Sequence, residues 1–141
     1  MKMTLMFAIF LSSTCIGQMQ NMGVDASKAM KNVSKVAVYF NVGAVAGVRY
    51  LPDSERAKKQ ISEKLTKQKL QLVASSVDAD LILVVTEYNT ENDCLADEIK
   101  VFKGGRSLLP DDSPIWSTND SCGVSWPLNR AMDKFGKALK R

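Results

Sequence analysis

The sequence predicts an α+β domain: a mixed, mostly antiparallel sheet of about five strands with two helices packed on one face, in the order β-α-β-β-β-β-α. Short runs of branched apolar residues recur along the chain, as in strands. Two longer stretches repeat apolar residues every three or four positions, as in helices. The first of these stretches lies between two strand-like runs, which favours a β-α-β crossover.

The first half of the domain begins with a strand at 36–40, an apolar run with a polar boundary on each side. Residues 41–50 contain two glycines and are predicted to form a loop. A helix should start near Pro52, because proline and acidic residues are favoured in a first turn. It should bury one narrow stripe, formed by Ala57, Ile61 and Leu65. At 70–73 the apolar residues recur at every second position, so the next strand is expected there.

The second half contains the strongest strand, 81–88, which is nearly continuous in branched apolar residues and should be central in the sheet. In residues 98–102, charged and apolar residues alternate, as they do in a half-exposed antiparallel strand. A last short strand is predicted at 115–117. Ser125 can cap a final helix. The apolar face of that helix consists of Leu128, Ala131, Met132, Phe135 and Leu139.

The amino terminus has the layout of a secretory leader: one lysine, a short apolar run, then small and polar residues up to Gly17. We therefore expect residues 1–17 to be a signal peptide, 18–34 an amino-terminal arm and 35–141 the single domain. Export would place the protein in the periplasm of a bacterium or outside the cell. A lipid anchor on Cys15 is the alternative, although Ser12 and Thr14 do not match the usual lipoprotein signal.

The cysteine count supports the same interpretation. Removing the leader removes Cys15 and leaves Cys94 and Cys122, an even number in an oxidising compartment. Both lie in polar, turn-rich segments, so we expect them to form a structural disulfide. Closing such a loop contributes about 3–4 kcal/mol in the chain-entropy estimate.

Composition excludes several classes of function. The chain contains no histidine, which rules out Ser-His-Asp and Cys-His nucleophile systems, histidine-containing zinc sites and a haem with a proximal histidine within this chain. The net charge of +4 is not concentrated in a basic stripe with interleaved aromatic residues, so nucleic acid is not an expected partner. No cofactor or metal is predicted, and no transmembrane segment is expected after leader removal.

Acidic residues supply the remaining candidates for chemistry. One cluster consists of Glu91, Asp93, Asp97 and Glu98. It has as many carboxylates as a calcium-binding loop, but their spacing along the chain does not match that loop. A solvated loop is therefore the favoured interpretation. A hydrolase would have to use carboxylates such as Glu87, Asp111 or Asp112. Asp111 and Asp112 lie between prolines and are expected to form a turn. Trp116 and Trp126 are expected to anchor the core.

Three short motifs resemble those of small envelope domains. Such domains occur at the start of TolB, in the curli secretion lipoprotein CsgG, and in related secreted proteins or lipoproteins. They are the strand 36–40, the Ala-Asp-Leu-apolar segment within 78–84, and Ile115-Trp116-Ser117 before a final helix. The resemblance covers about residues 35–141. It implies an α+β domain that works by interaction and not by catalysis. It identifies no functional residue, because the matching positions are sheet and core.

The sequence thus favours an exported, non-enzymatic envelope protein that binds another envelope component, protein or glycan, through its sheet edge or loops. A small-ligand or inhibitor-type binding protein is the alternative, which would require a sizeable apolar pocket. A carboxylate hydrolase is the third possibility, which would require two carboxyl groups converging in a cleft.

Overall fold

A computed structural model of the chain describes residues 28–41, 49–50, 54–90, 94–122 and 126–140. One six-stranded sheet has the order β3-β1-β4-β5-β6, and β2 pairs with the end of β4. Both helices pack on the same face of this sheet. The predicted α+β class is confirmed. The elements are β1 (Lys35–Phe40), β2 (Arg49–Tyr50), α1 (Ser54–Lys67), β3 (Gln71–Val73), β4 (Leu81–Asn89), β5 (Leu95–Lys103), β6 (Trp116–Ser121) and α2 (Pro127–Leu139).

Strand β4 is central, as predicted, because it pairs with β1, β2 and β5. Strand β1 runs parallel to both β3 and β4, and the pairings of β4 with β5 and of β5 with β6 are antiparallel. The chain from β1 through α1 to β3 is therefore the predicted β-α-β crossover. Most of β4 is buried on both faces, which explains its nearly continuous apolar sequence.

The core lies between the sheet and the two helices. The predicted stripe of α1 is buried, with Ala57, Ile61 and Leu65 each 1% exposed. Trp116 packs obliquely on Phe135 of α2, with ring centroids 6.0 Å apart. The core also includes Met30, which precedes the predicted start of the domain. The strands contribute Val36, Leu81, Leu83, Val85, Ile99 and Val101, and α2 contributes Leu128, Ala131, Met132 and Phe135.

Asp80 joins the start of β1 to the start of β4. Its carboxylate oxygen Oδ2 accepts hydrogen bonds from the backbone amides of Ser34 and Lys35, both at 2.9 Å, and from the Ser34 hydroxyl at 3.1 Å. The backbone bonds from Ser34 and Lys35 lower the pKa of Asp80. The Ala-Asp-Leu motif is thus structural: Ala79 is buried, Asp80 binds β1, and Leu81 enters the core.

The strands differ from the sequence prediction by more than one residue at three places. Strand β5 starts at Leu95 and not at 98, β6 continues to Ser121 and not only to 117, and a two-residue strand, β2, lies inside the predicted loop 41–50. The first two differences arise because β5 pairs with β4 and β6 along a polar stretch that sequence patterning assigns to loops. The predicted cap Ser125 lies outside the described residues; Trp126 occupies the N-cap position without a side-chain cap.

Cys94 and Cys122 meet where β5 begins and β6 ends. Their Cα atoms are 5.3 Å apart and the structure joins their sulfurs. The backbone amide of Cys122 also donates to the carbonyl of Leu95 at 3.0 Å, which fixes the same end of the strand pair. Cys15 and the predicted leader lie outside the described residues. Within the described ranges, no helix is long and apolar enough to cross a membrane.

Replacing Asp80 with alanine should lower the free energy of unfolding by about 1–2 kcal/mol, because two backbone amides lose a charged acceptor. Asp78→Ala, two residues earlier and exposed, is the matched control and should change stability little. Because the pKa of Asp80 is lowered in the fold, the difference between wild type and Asp80→Ala should be present above its ordinary value of 3.8 and vanish as the pH falls below it. Urea unfolding at several pH values measures both effects. Equal losses in the two variants would contradict this role of Asp80.

Candidate functional site

Two features of the described residues could carry function: a row of carboxyl groups beneath α2 and an apolar groove beside the edge strand β3. We call Glu87, Asp97 and Asp120 the acidic row. They lie on three neighbouring strands in direct register, with Glu87 opposite Asp97 and Asp97 opposite Asp120. Because side chains alternate along a strand, all three project from the face that carries the helices.

The Glu87–Asp97 pair is the chemically unusual part of the row. Asp97 is fully buried and Glu87 is 8% exposed. Burial and the neighbouring carboxylate of Glu87 raise the pKa of Asp97 to about 8, because both disfavour its charged form. The nearby indole N–H of Trp126 and backbone N–H of Leu128 have the opposite effect, because they lower the pKa of Asp97. The raised pKa favours the protonated form of Asp97 beside Glu87 at neutral pH.

Asp120, the third member of the row, is ionised and paired with cations of α2. Its Oδ1 accepts from Nε of Arg130 at 2.9 Å, and Nζ of Lys134 lies 2.8 Å from its Oδ2. These partners, Arg130 above all, lower the pKa of Asp120. Arg130 also donates to the carbonyls of Ser121 and Cys122, so it ties α2 to the disulfide end of β6.

The start of α2 covers the Glu87–Asp97 pair. Trp126 and Leu128 lie against Asp97, and the guanidinium carbon of Arg56 in α1 lies 3.1 Å from the centre of the Trp126 ring. Neither carboxyl group lines the groove between α1 and β3 or the two grooves beside α2. A general acid must reach the atom that it protonates. The described residues thus bury both carboxyl groups, an arrangement that suits a structural role better than hydrolysis.

The other acidic candidates do not come together. Asp97 and Glu98 are neighbours within β5, so they point to opposite faces and cannot share an ion. The favoured interpretation of this cluster as a solvated loop is thus wrong for these two residues, and Glu91 and Asp93 lie outside the described residues. Among the described residues, no group of three or more acidic or cysteine side chains is placed to hold a metal.

Asp111 and Asp112 belong to a turn. Asp112 accepts from Nη1 of Arg106 at 2.7 Å and from the backbone amide of Leu109 at 2.6 Å. The bond from Arg106 lowers the pKa of Asp112, whereas Asp111 is exposed. Both residues thus occupy the turn that the flanking prolines predicted, and neither lies in the acidic row.

The second feature is a groove of about 410 Å³ between α1 and the edge strand β3, which we call the edge groove. Leu72 is 51% exposed at its rim. Lys58 is the one charged residue among those that line it. The lining residues are Val38, Phe40, Lys58, Ile61, Leu72, Val73 and Ala74.

The edge groove exists because β3 is shorter than β1. The register of β3 with β1 ends at the pair Ala37 and Val73, whereas β1 continues to Phe40. After Val73 the chain bends toward the opposite face, where the amide of Ser76 donates to the hydroxyl of Tyr39 at 3.2 Å. Sequence analysis predicted the strand at 70–73 but gave no signal for this mismatch in length, which depends on tertiary pairing.

Replacing Asp97 with asparagine should remove a pH dependence of stability. The pKa of Asp97 is raised from 3.8 to about 8, so the fold binds a proton that the unfolded chain releases, and wild-type stability should fall as pH rises through that window. The substituted amide would not titrate, so the variant should gain stability relative to wild type as pH rises. Asp111→Asn, at the exposed turn, is the control and should follow wild type. Parallel curves for Asp97→Asn and wild type would contradict the assignment.

Comparison with known proteins gives little further guidance. No family model matches the chain, and no curated protein matches it. In structure, it is similar to a minor lipoprotein from Acinetobacter baumannii with a TM-score of 0.35 and 13% sequence identity, over 77% of this chain and 91% of that one. These comparisons do not support the resemblance to TolB and CsgG.

Proposed function

We propose that this chain is an exported, disulfide-bonded, non-enzymatic protein of the bacterial envelope that binds another envelope component through the sheet edge at β3. The observation that carries the proposal is the open edge groove, where apolar side chains line the border of an unfinished sheet edge. An uncovered strand edge offers backbone groups with which another chain can pair.

The burial of Glu87 and Asp97 supports the same choice. Hydrolysis by paired carboxyl groups needs a cleft in which the substrate reaches both. Here Trp126 and Leu128 cover Asp97, and Asp97 is fully buried. The convergence of Glu87 and Asp97 alone therefore does not favour a hydrolase.

A small-ligand carrier is the second candidate, because the volume of the edge groove falls in the range of ligand sites. The groove is however bordered by β1 backbone as well as side chains, which suits a polypeptide better than a small apolar molecule. No partner identity follows from the residues themselves.

A photoreactive amino acid placed at Leu72 should crosslink to another envelope component in intact cells. The same amino acid at Leu109 is the matched control, because Leu109 is similarly exposed, at 57% against 51%, but does not line the groove. Crosslinks at position 72 and not at 109 are the expected result. Equal labelling at both positions, or none at 72, would contradict the proposed function.

Intact mass of the protein recovered from the envelope fraction tests export and the disulfide together. The expected mass starts at Gln18 and increases by two hydrogens on reduction, since Cys94 and Cys122 are the two cysteines left after cleavage. A lipidated Cys15 would appear as an added acyl mass. Retention of residues 1–17 with free thiols would contradict export.

A further inference from the structure

The part of β1 that β3 leaves uncovered has the properties of a strand-binding site. Alternate residues of β1 direct their backbone groups to opposite sides. The amide of Asn41 donates to Val85 of β4 at 2.9 Å, and the amide of Gln71 in β3 donates to the carbonyl of Ser34. Odd-numbered residues of β1 therefore bond to β4, and even-numbered residues point toward the β3 side.

This alternation leaves backbone groups of Val38 and Phe40 without a partner in β3. The carbonyl of Val38 and the amide of Phe40 point to the β3 side, beyond the last β1–β3 pair at Ala37 and Val73. Within the described ranges, no strand pairs with them on that side. An extended segment laid beside β1 would supply the missing acceptor and donor, as in strand addition to a sheet edge.

The surrounding side chains determine what kind of segment fits. Val38 and Phe40 lie on the helix face of β1 and are partly buried against the core. Side chains of an added strand that point to this face would enter the edge groove and contact Leu72 and Ile61. Lys58, the charged residue of the lining, pairs with Glu55 of α1 at 2.8 Å, and its side chain is 54% exposed. The next side chain on that face would meet this lysine, and an acidic residue there would share the ammonium group with Glu55.

We propose that an extended peptide segment of a partner protein, with apolar residues at alternate positions followed by an acidic one, adds as a strand to Val38–Phe40 and fills the edge groove. This inference rests on the proposed function and names its partner class. The affinity comes from the backbone pairing, and the selectivity comes from the groove and Lys58.

The probe is a heptapeptide blocked at both ends in which threonine alternates with two valines and then a glutamate, placing valine, valine and glutamate on one face. Binding to the purified domain is followed by amide spectra and hydrogen exchange. The expected result is saturable binding with new protection of the Phe40 amide. The same peptide with the threonine between its two valines replaced by proline should not bind. In a strand parallel to β1 that threonine carries the amide that donates to the carbonyl of Val38, and proline cannot donate.

Two pairs of variants test the groove and the charge. Leu72→Glu should weaken binding by at least about tenfold, since it removes an apolar contact and adds repulsion, while Leu109→Glu should not. Both residues are exposed, so neither variant should disturb folding. Lys58→Glu should weaken binding of the glutamate peptide, and Lys59→Glu, one position further along α1, should leave it unchanged.

Binding that persists in Leu72→Glu, or that leaves the Phe40 amide unprotected, would overturn strand addition. So would failure of the peptide to bind. If one of these negative binding results occurs but Leu72 still crosslinks in cells, the proposed function stands and the assignment of a peptide strand as the partner fails. Absence of the crosslinks would instead remove the proposed function itself.

Discussion

The alternation of side chains along β4 is the constraint on which the rest of the structure depends. Leu81, Leu83 and Val85 point toward the helices and build the core with β1 and β5. The same alternation continues to Glu87, which must therefore point beneath α2. The core and the buried carboxyl pair are two consequences of one strand and its register.

In the acidic row, Asp97 is buried and Asp120 is half-buried, and their charges are accommodated in two different ways. An isolated carboxylate in an apolar interior is strongly unfavourable. Asp97 meets this constraint by keeping its proton, and Asp120 meets it through Arg130 and Lys134. The start of α2 is thus held by contacts with Asp97 on one side and by ion pairs with Asp120 on the other. This explains how a helix without a side-chain cap at Trp126 is nevertheless fixed in position.

Much of this fold follows from local patterns. The spacing of Ala57, Ile61 and Leu65 predicts the buried face of α1, and the apolar run 81–88 predicts a central strand. Patterning fails where polar residues enter a strand. Asp97 and Asp120 look like loop residues in sequence, and their positions in the paired strands depend on partners that are distant along the chain.

The candidate sites were harder to predict for the same reason. Glu87 was a candidate from the sequence, but its partner Asp97 belonged to a different predicted cluster, because only the antiparallel register of β4 with β5 joins them. The edge groove has no sequence signature, since it depends on β3 stopping before β1 does. The Ala-Asp-Leu motif is the opposite case, because its role is structural. Its Asp80 accepts hydrogen bonds from the start of β1 and so connects β1 with β4.

The two long edges of the sheet differ in how they are protected. Strand β6 alternates half-buried and exposed polar residues and is tied to α2 through Asp120, whereas β3 covers only the first half of β1. The central claim is that this uncovered half of β1 is open in the free protein. Residue-resolved amide exchange tests it by comparing two neighbours: Asn41, whose amide donates to Val85, and Phe40, whose amide points to the open side. We predict slow exchange at Asn41 and fast exchange at Phe40, and equal protection of the two amides would contradict the account.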